Sequence, residues 1–293
     1  VDISALCLKS GNAVILRGGK ESIETNKALA GVIRNCLKDS GLPEDAVQLI
    51  ESTDRSVVAG MLQMRDYIDL LIPRGGAELV MRVANEATMP AITGGIGVCH
   101  TYVDSAADLD MATSITLNAK VQRPSVCNAL DTVLVHSAIA GTFLPQMAAS
   151  MAQAGVELRC DSRALSIIGE NGSDLISRAK QEDFGQEFLA LVASVKVVDS
   201  LDDALAHIAT YGSGHTEAIV TGDYAAATRF TDEVDAAAVF VNLSTRLNDG
   251  GEFGLGAEVA ISTNKMHARG PMGLAELTSY KWVGLGSGQV REG

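Results

Sequence analysis

Short apolar runs alternate with stretches of helical spacing through the first hundred residues. Ala13-Val-Ile-Leu16 reads as a strand, Ile23 to Lys38 as a helix that stops at Gly41, and Val47-Gln-Leu-Ile50 as a second strand. Thr53 is placed to cap a helix through Met64, Ile68 to Ile72 continues as a strand, Gly75-Gly76 opens a helix over Ala77 to Ala87, and Pro90-Ala-Ile92 closes the series. Strands separated by helices pair in parallel through right-handed crossovers, so the pattern predicts an open α/β sheet with its ligand crevice at the strand carboxyl ends. A second alternating series begins near Cys99 and ends near Asn242. It contains the strand Thr132 to His136, the strand Val195 to Val198, the helix Leu201 to Thr210, and the strands Ala218 to Val220 and Ala238 to Val241. The expected division is residues 1–98, residues 99–265, and a Gly-rich tail, 266–293, that returns to the first domain. A terminal strand at Tyr280-Lys-Trp-Val283 is expected to pair with a neighbouring subunit in a homo-oligomer.

Composition narrows the class. An apolar fraction of 47% with 20% charged residues is that of a folded globular chain, and 293 residues suit two domains. No apolar run reaches membrane-spanning length, and Val1 to Ala5 lacks the basic and small-residue pattern of a signal peptide, which together predict a soluble, cytoplasmic protein. The net charge of −13, with no Lys/Arg cluster, argues against nucleic acid as a partner. Cys7, Cys36, Cys99, Cys127 and Cys160 are scattered and odd in number, which predicts neither a disulfide framework nor a zinc site.

Cys127 stands apart from the apolar periodicity. It follows Arg123-Pro-Ser-Val and precedes Asn128, on a connection between a helix-like stretch and the strand beginning near Thr132. A nucleophile suits that position; an inert buried thiol suits it equally on these residues alone. Two glycine pairs follow strands, Arg17-Gly18-Gly19-Lys20 and Arg74-Gly75-Gly76. Free N–H groups there would accept a phosphate, although neither matches G-x-G-x-x-G and either could be a plain tight turn. Arg17 and Lys20 in place of an acid favour a 2′-phosphate, hence NADP over NAD.

Taken together, Ser10-Gly-Asn-Ala-Val-Ile-Leu-Arg-Gly18-Gly19, Ile72-Pro-Arg-Gly75, Cys99-His-Thr-Tyr-Val-Asp104, Val126-Cys-Asn-Ala129, Gly250-Gly-Glu-Phe-Gly-Leu-Gly-Ala-Glu258 and His267-Ala-Arg-Gly-Pro-Met-Gly273 resemble the gamma-glutamyl phosphate reductase family, a branch of the aldehyde dehydrogenase superfamily. The resemblance runs the whole chain. It implies an aldehyde dehydrogenase-like fold and NADPH-dependent reduction of L-glutamyl 5-phosphate to glutamate 5-semialdehyde in proline biosynthesis, with Cys127 as the nucleophile that holds the acyl group as a thioester. Under it the Cys127 N–H, with Asn128 as a candidate helper, would face the oxyanion. Arg123, Lys265, His267 and Arg269 become candidates for the substrate anions, and Glu187 for the nicotinamide ribose. Oxidising branches carry a Glu that activates water ahead of the cysteine. Ala91 to His100 holds no acid, which favours phosphate as the exchanged group, while the Thr93-Gly94-Gly95 version of that segment departs from the reductase pattern. His136 and His100 read as surface histidines. The resemblance also places Val1 to Gly11 well inside the family's length, so this chain is expected to be poorly active beside an N-terminally extended one. An aldehyde-oxidising dehydrogenase and a non-catalytic relative are the competing classes.

Overall fold

A computed structural model describes residues 1–94, 96–169 and 174–293; Gly95 of the Thr93-Gly94-Gly95 segment lies outside the described residues. The chain divides into two compact units, residues 1–53 with 272–293, and residues 54–271. The division falls at 53 and not at the boundary of 98 read from the sequence, and the tail joins the first unit from 272.

The smaller unit carries α1 (Asp2–Lys9), β1 (Val14–Arg17), α2 (Ile23–Asp39) and β2 (Val47–Ile50), with β1 and β2 parallel in register from Val14–Val47 to Arg17–Ile50. Asn12 Nδ2 donates to Leu277 O at 2.7 Å, a bond between the start and the tail of this unit. Tyr280 to Val283 forms no strand: Trp282 is 93% exposed and Tyr280 87%, so the expected terminal strand is an extended apolar segment in the isolated chain.

The larger unit begins with α3 (Ser56–Met61) and α4 (Ala77–Glu86). The helix expected through Met64 ends at Met61, and its start follows Asp54, which accepts from Ser56 N at 2.9 Å. The strands expected at 68–72 and 90–92 shrink to one parallel bridge between Leu71 and Ala91. Pro73 and Pro90 have no N–H to give a ladder, which limits the pairing to Leu71 N to Pro90 O and Ile92 N to Leu71 O.

The second series forms a wholly parallel sheet of seven strands. In chain order these are β3 (Cys99–Val103), β4 (Leu130–His136), β5 (Glu157–Cys160), β6 (Ile176–Arg178), β7 (Val192–Val198), β8 (Thr216–Val220) and β9 (Ala238–Val241), arranged in the sheet as β6-β5-β7-β4-β3-β8-β9. Its crossovers are α5 (Leu109–Val121), α6 (Ser137–Gln153), α7 (Ser162–Ile168), α8 (Leu201–Tyr211) and α9 (Tyr224–Glu233). Local chemistry starts them: the side chains of Asp108, Asp161, Ser200 and Asp223 each accept from N–H groups in the first turn that follows. One sheet face closes over Val103, Val133, Val135, Val195, Val197 and Val220, packed against Ala112, Phe143, Leu144 and Met147 of α5 and α6. A two-stranded antiparallel pair, β10 (Ile261–Ser262) and β11 (Gly270–Pro271), completes the unit.

Candidate active site

Pro124 cannot continue α5, and the chain turns through Ser125 and Val126 to bring Cys127 to the mouth of β4. The thiol is half-buried, and the peptide that carries it is fixed from behind. Cys99 Sγ donates to Cys127 O at 3.2 Å, and the Cα of Gly97 lies so near that a Cβ there would stand 1.6 Å from the same oxygen. Cys127's own N–H acts on its sulfur and favours the thiolate. Burial, then the charges of Glu187 and Glu258, push the thiol up to about 11, with Arg74 acting in the opposite direction.

Both carboxylates are anchored by the backbone. Glu187 Oε1 accepts from Gly97 N at 2.9 Å and Glu258 Oε2 from Gly250 N at 2.9 Å, while burial raises the pKa of each. The segment Ala91 to His100 has no acid of its own, but the fold delivers Glu187 to it from a distant loop. Sequence reasoning named Glu187 without this contact and did not single out Glu258, which sits at the end of a quoted motif.

Asn128 is buried and its amide is occupied. Nδ2 donates to Asn248 O at 2.9 Å, and Oδ1 accepts from Arg246 Nη1. These bonds tie Asn128 to the 244–248 turn. From there a hydrogen-bonded chain returns to the cysteine: Asn248 Nδ2 donates to Thr216 Oγ1 at 2.8 Å, Thr216 Oγ1 meets His215 Nδ1 at 2.7 Å, and that nitrogen lies 3.9 Å from Cys99 Sγ. Cys127 and Asn128 are therefore held at both ends of one closed circuit. Asp131, pushed up to about 6 by burial, accepts from Phe188 N at 3.1 Å and lies 3.6 Å from the buried Lys120, which fixes the loop bearing Glu187.

The remaining candidates separate. Arg123 is exposed, close enough to act on the charge of Arg246. Arg74 is exposed and acts on Cys127 and Glu258, so it belongs to the surroundings of the thiol as well as to the turn where Gly75, at φ +146°, and Gly76 lead into α4. Lys265 and Arg269 do not stand free as anion ligands: both clasp Asp235, at 2.6 and 2.7 Å. His267 lies between them on the same loop. In the smaller unit, Arg17 ends β1 with Nη2 donating to Thr53 O at 3.3 Å and a buried Nε without a partner, Gly18 and Gly19 follow, and Lys20 is exposed. A half-buried guanidinium with a spare Nε hydrogen fits a nucleotide phosphate. His136 caps α6 through Nδ1, which accepts from Ala138 N. His100, read from the sequence as a surface histidine, is a correction: it is fully buried and bonded to Glu217 at 3.0 Å, because the parallel sheet is covered on both faces. Among the described residues no cluster of His, Cys, Asp and Glu could hold a metal, and no helix is long and apolar enough to cross a membrane.

A half-buried thiol at the mouth of a parallel strand, its N–H beside the sulfur and carboxylates around it, defines a class of oxidoreductase, and residues 3–166 match the Aldehyde dehydrogenase family. Gamma-glutamyl phosphate reductase of Dehalococcoides mccartyi (strain ATCC BAA-2266 / KCTC 15142 / 195) is 59% identical, and that of Roseiflexus castenholzii 56%, each over 99% of this chain and 69% of the relative. The crystal structure of the Thermotoga maritima gamma-glutamyl phosphate reductase superposes with a TM-score of 0.95 at 46% identity, over 99% of this chain and 69% of that one. An engineered glycolyl-CoA reductase with bound NADP+ shares the fold at 18% identity, with a TM-score of 0.70 over 94% of this chain and 69% of that one. The chain belongs to the aldehyde dehydrogenase family, in the branch of the gamma-glutamyl phosphate reductases.

Proposed function

We propose that the chain carries the reductase activity for which its relatives are named: L-glutamyl 5-phosphate is reduced to glutamate 5-semialdehyde with release of phosphate, through a thioester on Cys127. The observation that supports this best is the half-buried Cys127 thiol, its own N–H beside the sulfur and its carbonyl pinned by Cys99 and Gly97.

With its pKa near 11 the thiol carries its proton at neutral pH, so attack needs an acceptor. Glu187 and Glu258 are the carboxylates that act on it, and burial makes both better bases than a solvated glutamate. The thiolate, favoured by Arg74, then forms a C–S bond to the acyl carbon as the C–O bond to phosphate breaks and the phosphate leaves with the electron pair. The Cys127 N–H is the donor for the developing oxyanion. NADPH, when bound, supplies the hydride. The thiolate is released when the C–S bond breaks, and the aldehyde leaves. Arg17 and Lys20 are the residues for a 2′-phosphate, and Glu187 keeps Oε2 as an acceptor for a ribose hydroxyl.

The presence of two carboxylates near the thiol also favours a second reading, an aldehyde oxidation in which one of them activates water. Kinetics in the reverse direction separate the two. With glutamate 5-semialdehyde and NADP+, NADPH formation is expected to depend on inorganic phosphate and to vanish in Cys127→Ala; formation of NADPH at the same rate without phosphate contradicts the reductase reading.

A further inference from the structure

Arg246 stands on the turn after β9, half-buried, and is held by two neutral acceptors: its Nε donates to Gln122 Oε1 at 2.8 Å and its Nη1 to Asn128 Oδ1. Neither partner cancels its charge. Among the described residues no carboxylate lies within ion-pair distance of it, whereas Arg159, Arg163, Arg229 and Arg269 are each paired. A guanidinium removed in part from water and denied a counter-ion is costly unless an anion visits it. Cys127, Arg123, Asp249 and Glu258 are the charged or titratable groups that act on Arg246, and Arg74 acts on both Cys127 and Glu258, so arginines approach the thiol from separate parts of the larger unit.

We infer that Arg246, oriented by Gln122 and Asn128, is the binding residue for the phosphoryl group of the substrate beside Cys127. The inference rests on the reductase reading for the identity of the substrate. A phosphoryl oxygen is bonded to the very carbon that the thiol attacks, so its cation must lie next to the nucleophile; the α-carboxylate is four carbons further away. Arg246 bonds the residue adjacent to Cys127 in sequence, and its planar fork retains N–H groups for two oxygens of one anion. Lys265 and Arg269, engaged by Asp235, leave that role open.

Alkylation of Cys127, followed by mass spectrometry of its peptide, tests the site without coenzyme. The anionic reagent iodoacetate is expected to react faster, relative to neutral iodoacetamide, in the native chain than in Arg246→Gln. The ratio should fall about tenfold, the worth of one hydrogen bond to a charged group. Inorganic phosphate should protect the native chain against iodoacetate beyond a chloride control of equal ionic strength, and protection should be lost in Arg246→Gln and retained in part in Arg246→Lys. An unchanged ratio with unchanged protection in Arg246→Gln overturns the inference. So does protection of the native chain by glutamate but not by phosphate, or no protection by either, and these arms need no folded variant. In the reverse reaction Arg246→Gln should raise KM for phosphate and leave KM for the aldehyde unchanged. Loss of phosphate dependence in the native chain refutes the reductase reading, while the alkylation ratio still reports on the anion site.

Discussion

On one face of the seven-stranded sheet, Val133, Val135, Val195 and Val197 pack in one apolar cluster with Phe143, Leu144 and Met147. On the other face a row crosses four strands in register, Ser194, Thr132, His100 and Glu217, and the next row runs through Lys196, Leu134, Tyr102 and Ile219. His207 of α8 covers the polar row, its ring 5.4 Å from that of His100 and its Nδ1 3.1 Å from Lys196 Nζ. Several atoms there lack a partner, among them Thr132 Oγ1, Glu217 Oε1, His100 Nε2 and His207 Nε2. Buried polar groups without partners cost stability, so one face holds the fold together while the other draws on that reserve, one residue into β3 from Cys99.

Removing bulk from the apolar face should show the largest effect. Phe143→Ala empties a fully buried site and is expected to cost about 3–5 kcal/mol, read as a lower urea midpoint at unchanged slope. The polar face should respond to acid. Burial, with the charges of His100 and Lys196, holds His207 down to about 3 against an ordinary 6.5. Between those values the unfolded chain binds the proton and the folded chain does not, so stability, complete above about 6.5, falls as the pH drops toward 3. The loss should be on the order of a few kcal/mol, and His207→Gln should flatten this part of the pH profile of urea unfolding. A profile unaltered by that substitution would equate the two faces. The smallest effect carries the opposite sign: Thr132→Val deletes a buried hydroxyl that has no partner and is expected to raise stability by about 1 kcal/mol in thermal unfolding. Destabilisation by Thr132→Val would mean that the polar row is better satisfied than its geometry suggests.

The sequence made the apolar face legible and the polar one hardly at all. β9 is Ala238–Val241 as its apolar run predicts, and α8 extends the expected helix by one residue to Tyr211, since Ser200 and Gly212 bound it in plain sight. His100 sits in an alternating run, Cys99-His-Thr-Tyr-Val, that imitates a half-exposed strand; only the crossover helices on both sides bury it. The pairing at 68–72 and 90–92 was overestimated because apolar runs signal burial, whereas prolines at 73 and 90 decide the ladder. At the site, Cys127 was legible from its break with periodicity. Arg246 was not, because its meaning comes from Asn128, a neighbour only after β8 and β9 have closed the edge of the sheet. Adjacency to Cys127 along the chain left the direction of the Asn128 amide open, and the fold turns it to Asn248 and Arg246.

Gly97 has a consequence for altering this protein. With a Cβ at that position 1.6 Å from Cys127 O, any side chain would push the nucleophile's peptide off its support. Attempts to reshape the cleft for other acyl groups must leave that floor untouched and work from the walls, at the turn of Arg246 or the loop of Glu187. No side chain fits at Gly97 unless the backbone that carries the nucleophile moves.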